Sequence, residues 1–391
     1  MGRFYLRIMG LLMNRFFRQF IQLEMASSIL LGIATLLAFL LSNSPLSKAY
    51  SQWIHSAFQL GHWHISLLHV INDGLMVLFF LLVSLEIKRE FLEGQLQHRK
   101  QALLPLIAAL GGVLVPAAFY WVFNADQPET LRGWAIPTAT DIAFSLGVLS
   151  LLGKRIPLSL KLFLTALAVI DDLAAILIIA IFYTQAVQWH WLSLALLMLG
   201  ILGYLNIAQI NRLPFYLLGG IVLWFCVLQA GIHATVAGVL LGFVMPFHRQ
   251  NTLQTPSLLH QLEQNLHPWV AYGVLPSFAF ANAGLSLSGV SWAVTSHPLF
   301  IGIFTGLLFG KPLGILLTSW LAVKTGVARL PSALTWRHMS GVALLGGIGF
   351  TMSLFMGTLA FSEDTLLNLV QLGVFSSSLL AAVAAWLLLR R

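Results

Sequence analysis

Residues 162–183 read LFLTALAVIDDLAAILIIAIFY. Apart from Thr165 and the pair Asp171–Asp172, every residue in the run is apolar or aromatic. About 20 such residues, wound as a helix, cross the hydrocarbon of a bilayer. The stretch is long enough to span, and it puts two adjacent carboxylates half-way along. The rest of the chain has the same character. Of its 391 residues 58% are hydrophobic and 9% charged, against roughly 25% charged in a soluble domain. The composition predicts a polytopic membrane protein with little mass outside the bilayer and excludes a soluble globular enzyme. The single cysteine, Cys226, lies in an apolar segment, which rules out a disulfide framework or a cysteine-rich metal site. Arg3, Arg7, Arg15 and Arg18 precede the first apolar run as in a signal peptide. No small-residue cleavage site follows, so 26–41 is read as a retained first helix.

The same ruler predicts twelve spans near 22–42, 67–88, 102–123, 134–152, 158–183, 190–208, 213–227, 231–247, 258–284, 299–323, 336–361 and 366–389. With the N-terminus cytoplasmic, eighteen of the 21 Lys and Arg residues fall on the inner side. Lys48 and Arg132 fall in outer loops, and Lys311 lies within a span. This positive-inside bias supports the count and puts both termini in the cytoplasm. It also accounts for the net charge of +8 without nucleic acid.

A charge at the centre of a bilayer costs about 2.5–3.5 kcal/mol or more, so the few that remain need a reason. Asp171 and Asp172 lie mid-way along the fifth span, Asp141 along the fourth (IPTATDIAF, 136–144) and Lys311 along the tenth (GLLFGKPLG, 306–314). Three helices distant in sequence thus carry charge at one depth, and the economical reading is that the charges meet. Adjacent helical residues diverge by about 100°. One aspartate can face a protein partner, with Lys311 the only cation at that level, while its neighbour faces a wet approach. For Asp141 and Lys311 alone, an ion pair that merely fixes packing is an equal alternative. Three carboxylates against one lysine leave an excess of negative charge that packing does not require. Such a site suits cations, and protons and a small metal ion would compete for it.

Two spans are interrupted. The fourth holds Pro137, Thr138, Thr140 and Asp141; the eleventh holds LLGGIGFTMS (344–353). Clustered glycine either lets helices pack closely or marks unwound backbone, which survives at membrane depth only when buried in protein or lining a cavity. Spans 3–5 and 10–12 form triplets of opposite topology, each interrupted in its middle member. Paired interruptions of this kind point to alternating access.

At these positions the chain resembles the bacterial NhaA-type sodium/proton antiporters, from about Phe17 to Leu389. The resemblance rests on VINDGLMVLFFLLVSLEIKRE (70–90), GWAIPTATDIAFSLGVLSLLGKRIP (133–157), LFLTALAVIDDLAAI (162–176), GIHATVAG (231–238), LHPWVAYGVLPSFAFANAG (266–284), GKPLGI (310–315) and GIGFTMSLF (347–355). That family is itself a type case of paired broken helices, so the two arguments are not independent. The resemblance implies an all-α fold of about twelve spans, with an inverted repeat and two crossing discontinuous helices. It implies one transporter domain over 1–391, its core bundle including 102–183 and 299–389 and the other spans forming a scaffold. Asp172 would be the main ligand for sodium or lithium, and Asp171 the partner that alternates with Lys311. Thr140 and Asp141 match the extended fourth-span segment, Asp141 and Lys311 balancing half-helix ends where the broken spans cross. Asp73 matches an accessory aspartate. Glu86, Glu90, Glu263 and His267 match cytoplasmic-mouth positions linked to activation at alkaline pH, although solvated helix ends would look the same. His233 matches a histidine affecting the pH profile, although a satisfied core histidine would look the same.

The implied activity is electrogenic exchange of sodium or lithium for protons in the bacterial inner membrane, without cofactor or enzymatic chemistry. The implied partners are Na+, Li+, H+, membrane lipid and a second copy of the chain. The family's dimer uses an outer-loop hairpin, for which residues 43–66 are short; the hairpin is left open. His260 and Gln264 flank Glu263 where the mouth is more basic in the family, so the pH set-point need not carry over. An intramembrane aspartyl protease also uses two buried aspartates, but adjacent residues on one helix diverge and no GxGD pattern occurs. Charged rings at a pore would suit a passive channel, but a lysine beside the acids and paired interruptions suit alternating access better.

Overall fold

The computed structural model describes residues 25–390 except 61–62, 98, 154–155, 185–186, 248–256, 288–291 and 332. Arg3, Arg7, Arg15, Arg18, Lys154, Arg155, Arg249 and Arg391, which help to orient the chain in the sequence reading, lie outside the described residues.

Apart from one hairpin the described chain is helical. In order, α1 is Met25–Ser42, α2 Ser47–Ile54, α3 Leu67–Leu92 and α4 Ala102–Asn124. Next come α5 Pro128–Thr138, α6 Ile142–Leu151, α7 Leu158–Phe182 and α8 Trp189–Ile207. Then follow α9 Leu213–Gln229, α10 Thr235–Val244 and α11 over 258–282. The last are α12 Pro298–Lys324, α13 Trp336–Gly346, α14 Phe350–Ala360 and α15 Asp364–Arg390. Among the described residues eight helices are long and apolar enough to cross a membrane, counting α13 and α14 as one. The bent pair α5 and α6, which meet at 44°, makes a ninth. The protein is therefore a multi-pass membrane protein. The three further spans expected from the sequence are shorter or more polar. α9 has 17 residues and α10 has 10, separated by a turn in which Gly231 takes φ 80°, a conformation glycine adopts freely. The first turns of α11, LLHQLEQNLHPW, are polar on one side.

Residues Ala57–Leu60 and Trp63–Ser66 pair antiparallel, Ala57 opposite Ser66 and Leu60 opposite Trp63. The loop that looks short in sequence thus holds a hairpin, because its strands need only four residues each. Next to it Tyr50 of α2 donates to the Phe280 carbonyl at 2.5 Å. Burial pushes the Tyr50 phenol up to about 12, so it stays a donor.

Small residues set the helix spacing. A Cβ built on Gly111 of α4 would strike the Gly314 carbonyl of α12, and one on Gly314 would strike the Gly111 carbonyl. One apolar core joins α3–α7 to α12–α15, and a second gathers α8–α10 against α3. Three helices contain a π-helical turn, at Val70–Leu75, Val270–Val274 and Gly306–Gly310. Such turns disturb the regular ladder and are frequent at functional sites. The first carries Asp73 and the third ends beside Lys311.

Candidate functional site

The two interruptions lie against one another. α5 is a tight 3₁₀ turn at its end, where Pro137 has no N–H to donate. Ala139 and Asp141 are extended before α6 begins. α13 ends at Gly346, and α14 starts at Phe350. A break in a helix leaves N–H and C=O groups without intrahelical partners. Here the two breaks satisfy each other. Asp141 N–H donates to the Ile348 carbonyl at 2.7 Å, and the Thr140 hydroxyl lies 3.0 Å from the Gly346 carbonyl. The Asp141 carboxylate takes Phe144 N–H at 2.9 Å on one oxygen and Thr351 N–H at 3.0 Å on the other, which also accepts from the Thr351 hydroxyl. One carboxylate therefore sits on the N-termini of α6 and α14 together, where the helix dipoles favour negative charge. At the opposite ends, Lys311 donates to the Thr138 carbonyl, where α5 stops and positive charge is favoured. The glycines of 346–349 also serve close packing: a Cβ on Gly347 would come within 2.6 Å of the Leu307 carbonyl.

Asp171, Asp172, Asp141, Thr140 and Lys311 are all at most 3% exposed. Asp171 Oδ2 accepts from Lys311 Nζ at 2.9 Å and from the Thr140 hydroxyl at 2.7 Å. Its Oδ1 is buried with no hydrogen-bond partner among the described residues. Asp172, turned away by the helical step, has no hydrogen-bond partner among the described residues, and it lies within electrostatic reach of Asp171, Asp141, Glu86 and Lys311. Thr140 has one hydroxyl proton and two acceptors within reach, so its oxygen keeps lone pairs for a further partner. An unpartnered buried carboxylate oxygen next to a second carboxylate and a neutral hydroxyl is a set of hard oxygen donors, the kind a small unreactive cation takes. The expected ion-pair alternative for Asp141 and Lys311 is not what forms: the lysine pairs with Asp171, and Asp141 is held by N–H and hydroxyl donors.

The remaining candidates group in two places. Arg89 Nε lies 2.9 Å from Glu263 Oε1, and Arg89 Nη1 lies 3.6 Å from Glu90. Glu86 is within electrostatic reach of Glu263, Arg89 and Glu90, and His267 of Glu263. Glu86, Glu90 and Glu263 thus surround Arg89, with His267 beside Glu263, and Glu86 is within electrostatic reach of Asp172. His260, which the sequence reading noted only as a flanking position, pairs with Glu93 at 3.0 Å. Asp73 and His233 are within reach of each other, beside His69, apart from the Arg89 group. A cavity of about 520 Å³ opens near the hairpin, lined by Tyr50, Asn282, Thr358, Asp364 and Gln371 among others; none of the five central residues lines it.

Sequence reasoning missed Thr351, Ser145, Ser353 and Arg89 as members of these groups. Arg89 was readable from its place in EIKRE between two candidate glutamates. The hydroxyl residues had no signal beyond lying in the interrupted segments.

The chain was compared with known proteins. The profile of the family described as Na+/H+ antiporter 1 matches residues 18–389. A protein of Pseudomonas fluorescens named Na(+)/H(+) antiporter NhaA is 52% identical over 376 residues, covering 95% of each chain. Proteins of the same name from Yersinia enterocolitica and Vibrio parahaemolyticus are 50% and 49% identical, over 97% and 96% of this chain. These relatives are named as transporters rather than enzymes. A match that runs nearly end to end, through every segment that builds the buried acid cluster, places this chain in the Na+/H+ antiporter 1 family.

Proposed function

We propose that the chain is an electrogenic antiporter that expels sodium, or lithium, in exchange for protons across the bacterial inner membrane. The observation that carries this reading is the unpartnered Asp171 Oδ1, buried beside Asp172 and Thr140. Facing the cytoplasm, Asp171 and Asp172 release protons and take the cation through oxygen ligands, Asp172 being the main one. Lys311 holds Asp171 while the site is empty and gives it up as the cation enters. Thr140 supplies a neutral oxygen, and backbone carbonyls of the interrupted segments complete the shell. Sodium and protons compete for the same carboxylates, which couples the two fluxes without a separate gate. Asp141 and Lys311 balance the half-helix ends, and no cofactor takes part.

The same reading divides the single domain into a core bundle including 102–183 and 299–389 and a scaffold of the remaining spans. The count is twelve spans, with 3–5 and 10–12 as an inverted repeat and the fourth and eleventh crossing. Both termini are cytoplasmic. The bundles rock against each other to expose the site on alternate sides. Asp73 is accessory. Glu86, Glu90, Glu263 and His267, with His233 apart from them, set activation at alkaline pH. The hairpin joins two copies of the chain in the lipid bilayer.

The test is sodium- or lithium-driven proton movement in everted vesicles across a range of pH. Wild-type protein is expected to release protons on addition of sodium, and Asp172→Asn to release none. Retention of sodium-dependent proton release by Asp172→Asn would overturn the assignment.

A further inference from the structure

Each second half-helix places a serine at the same distance from its start. Asp141 is the N-cap of α6 and Ser145 lies four residues on; Gly349 is the N-cap of α14 and Ser353 lies four residues on. Both serines are fully buried. A buried hydroxyl must find a partner, and inside a helix the usual one is a carbonyl a turn earlier in the same helix. Neither serine does this. Ser145 Oγ donates to the Leu345 carbonyl at the end of α13, at 2.8 Å. Ser353 Oγ donates to the Ile136 carbonyl at the end of α5, at 2.7 Å. Each broken span therefore uses its later half to close the open end of the other span's earlier half.

The two carbonyls sit next to groups with different duties. Gly346, whose carbonyl accepts from Thr140, follows Leu345. Thr138, whose carbonyl accepts from Lys311, follows Ile136 by two residues. A carbonyl fixed by Ser145 keeps the Gly346 carbonyl, and through it the Thr140 oxygen, in place. A carbonyl fixed by Ser353 keeps the Thr138 carbonyl under the lysine that leaves and rejoins Asp171. Resting on the antiport reading above, we infer that Ser145 and Ser353 are a reciprocal pair of positioning residues for ion exchange, Ser145 governing cation affinity through Thr140 and Ser353 governing turnover through Lys311. Neither touches the ion.

The near-symmetry makes the inference easy to break. Two serines that merely hold the fold would, when removed, lower stability and scale transport together. Two serines with the divided duties would separate KM from maximal rate in opposite ways. The experiment measures sodium-dependent proton release at fixed pH in everted vesicles for wild type, Ser145→Ala, Ser353→Ala, the double variant and both Ser→Thr variants, with thermal unfolding of the purified full chain alongside. A neutral hydrogen bond contributes about a tenfold change at most. Ser145→Ala is expected to raise KM for sodium roughly three- to tenfold with a maximal rate within about twofold of wild type. Ser353→Ala is expected to lower the maximal rate by a similar factor with KM within about twofold. A threonine keeps the hydroxyl, so either Ser→Thr variant that unfolds at the wild-type temperature should recover the affected parameter. The inference is overturned if the alanine variants match wild type, or if both change KM and rate in parallel, or if hydroxyl-bearing threonine variants of wild-type stability fail to recover. These failures leave the antiport reading standing, because wild type still exchanges. Absence of exchange in wild type would sink that reading first.

Discussion

Thr140 links the aspartate pair to the break in the eleventh span. Its hydroxyl faces Asp171 Oδ2 at 2.7 Å and the Gly346 carbonyl at 3.0 Å, with a single proton for both. While the site is empty the carboxylate is the stronger acceptor, since a hydrogen bond to a charged group contributes about 1.5–3 kcal/mol against about 1 for a neutral one. Once a cation lies against Asp171, the proton has a second acceptor ready, and the hydroxyl oxygen turns its lone pairs to the ion. Thr140→Val keeps the shape and removes the proton. It takes one donor from Asp171 Oδ2, which keeps Lys311, and removes a neutral oxygen from the proposed cation shell, so we expect KM for sodium to rise roughly tenfold, with the fold intact. Thr140→Ser should stay within about threefold of wild type. Sodium titration of proton release in vesicles checks both. A valine variant with wild-type KM would show that the hydroxyl is not a ligand. Of the central residues, the acids and the lysine were legible because charge in an apolar run is costly and therefore conspicuous. Ser145 and Ser353 were not. Their partners lie 200 and 217 residues away, and a serine in a helix is unremarkable until the distant carbonyl is seen.

At the level of elements the readable features were those set by local rules. Apolar run length placed most helix ends within a few residues of where they fall, because the bilayer thickness and the helical rise fix the length. The fourth span showed its break through Pro137, and the eleventh through its glycines. What local rules did not show were the π turns at 70–75, 270–274 and 306–310. The hairpin stayed open in the sequence because residues 43–66 look short for one, when four residues per strand suffice. The pairing of α4 with α12 is equally non-local. Gly111 and Gly314 face each other so closely that a methyl on either would meet the other's backbone carbonyl. Backbone cannot give way without separating the two helices, and α12 carries Lys311 one turn away. Gly314→Ala is therefore expected to destabilise by about 1–3 kcal/mol, the usual range for overpacking. Its thermal unfolding in detergent should fall by several degrees. Gly200→Ala, inside a helix with nothing within 4 Å of the added carbon, should leave it unchanged or raise it slightly. Equal stability of the two variants would mean that the helices separate freely at this point.

At the scale of the whole molecule the charges in the buried cluster have to be counted together. Asp171, Asp172 and Asp141 face one lysine, and Asp141 is already occupied by two half-helix ends. The movable inventory is therefore two carboxylates and one ammonium. On the proposed antiport reading, a sodium ion entering between Asp171 and Asp172 displaces the proton of Asp172 and the ammonium of Lys311 from Asp171, and the lysine, buried without its carboxylate, gives up the second proton. The exchange then moves more positive charge inward as protons than outward as sodium, and the membrane potential acts on the difference, worth about 2.3 kcal/mol per elementary charge at 100 mV. Such a cycle must respond to voltage even when both ion gradients are held constant. In proteoliposomes with equal sodium and equal pH on the two sides, a potassium–valinomycin potential negative on one side should draw protons toward that side and drive sodium the other way. Reversing the potential should reverse the sodium flux. An electroneutral carrier would ignore the potential altogether, and that outcome would require Lys311 to keep its proton throughout the cycle.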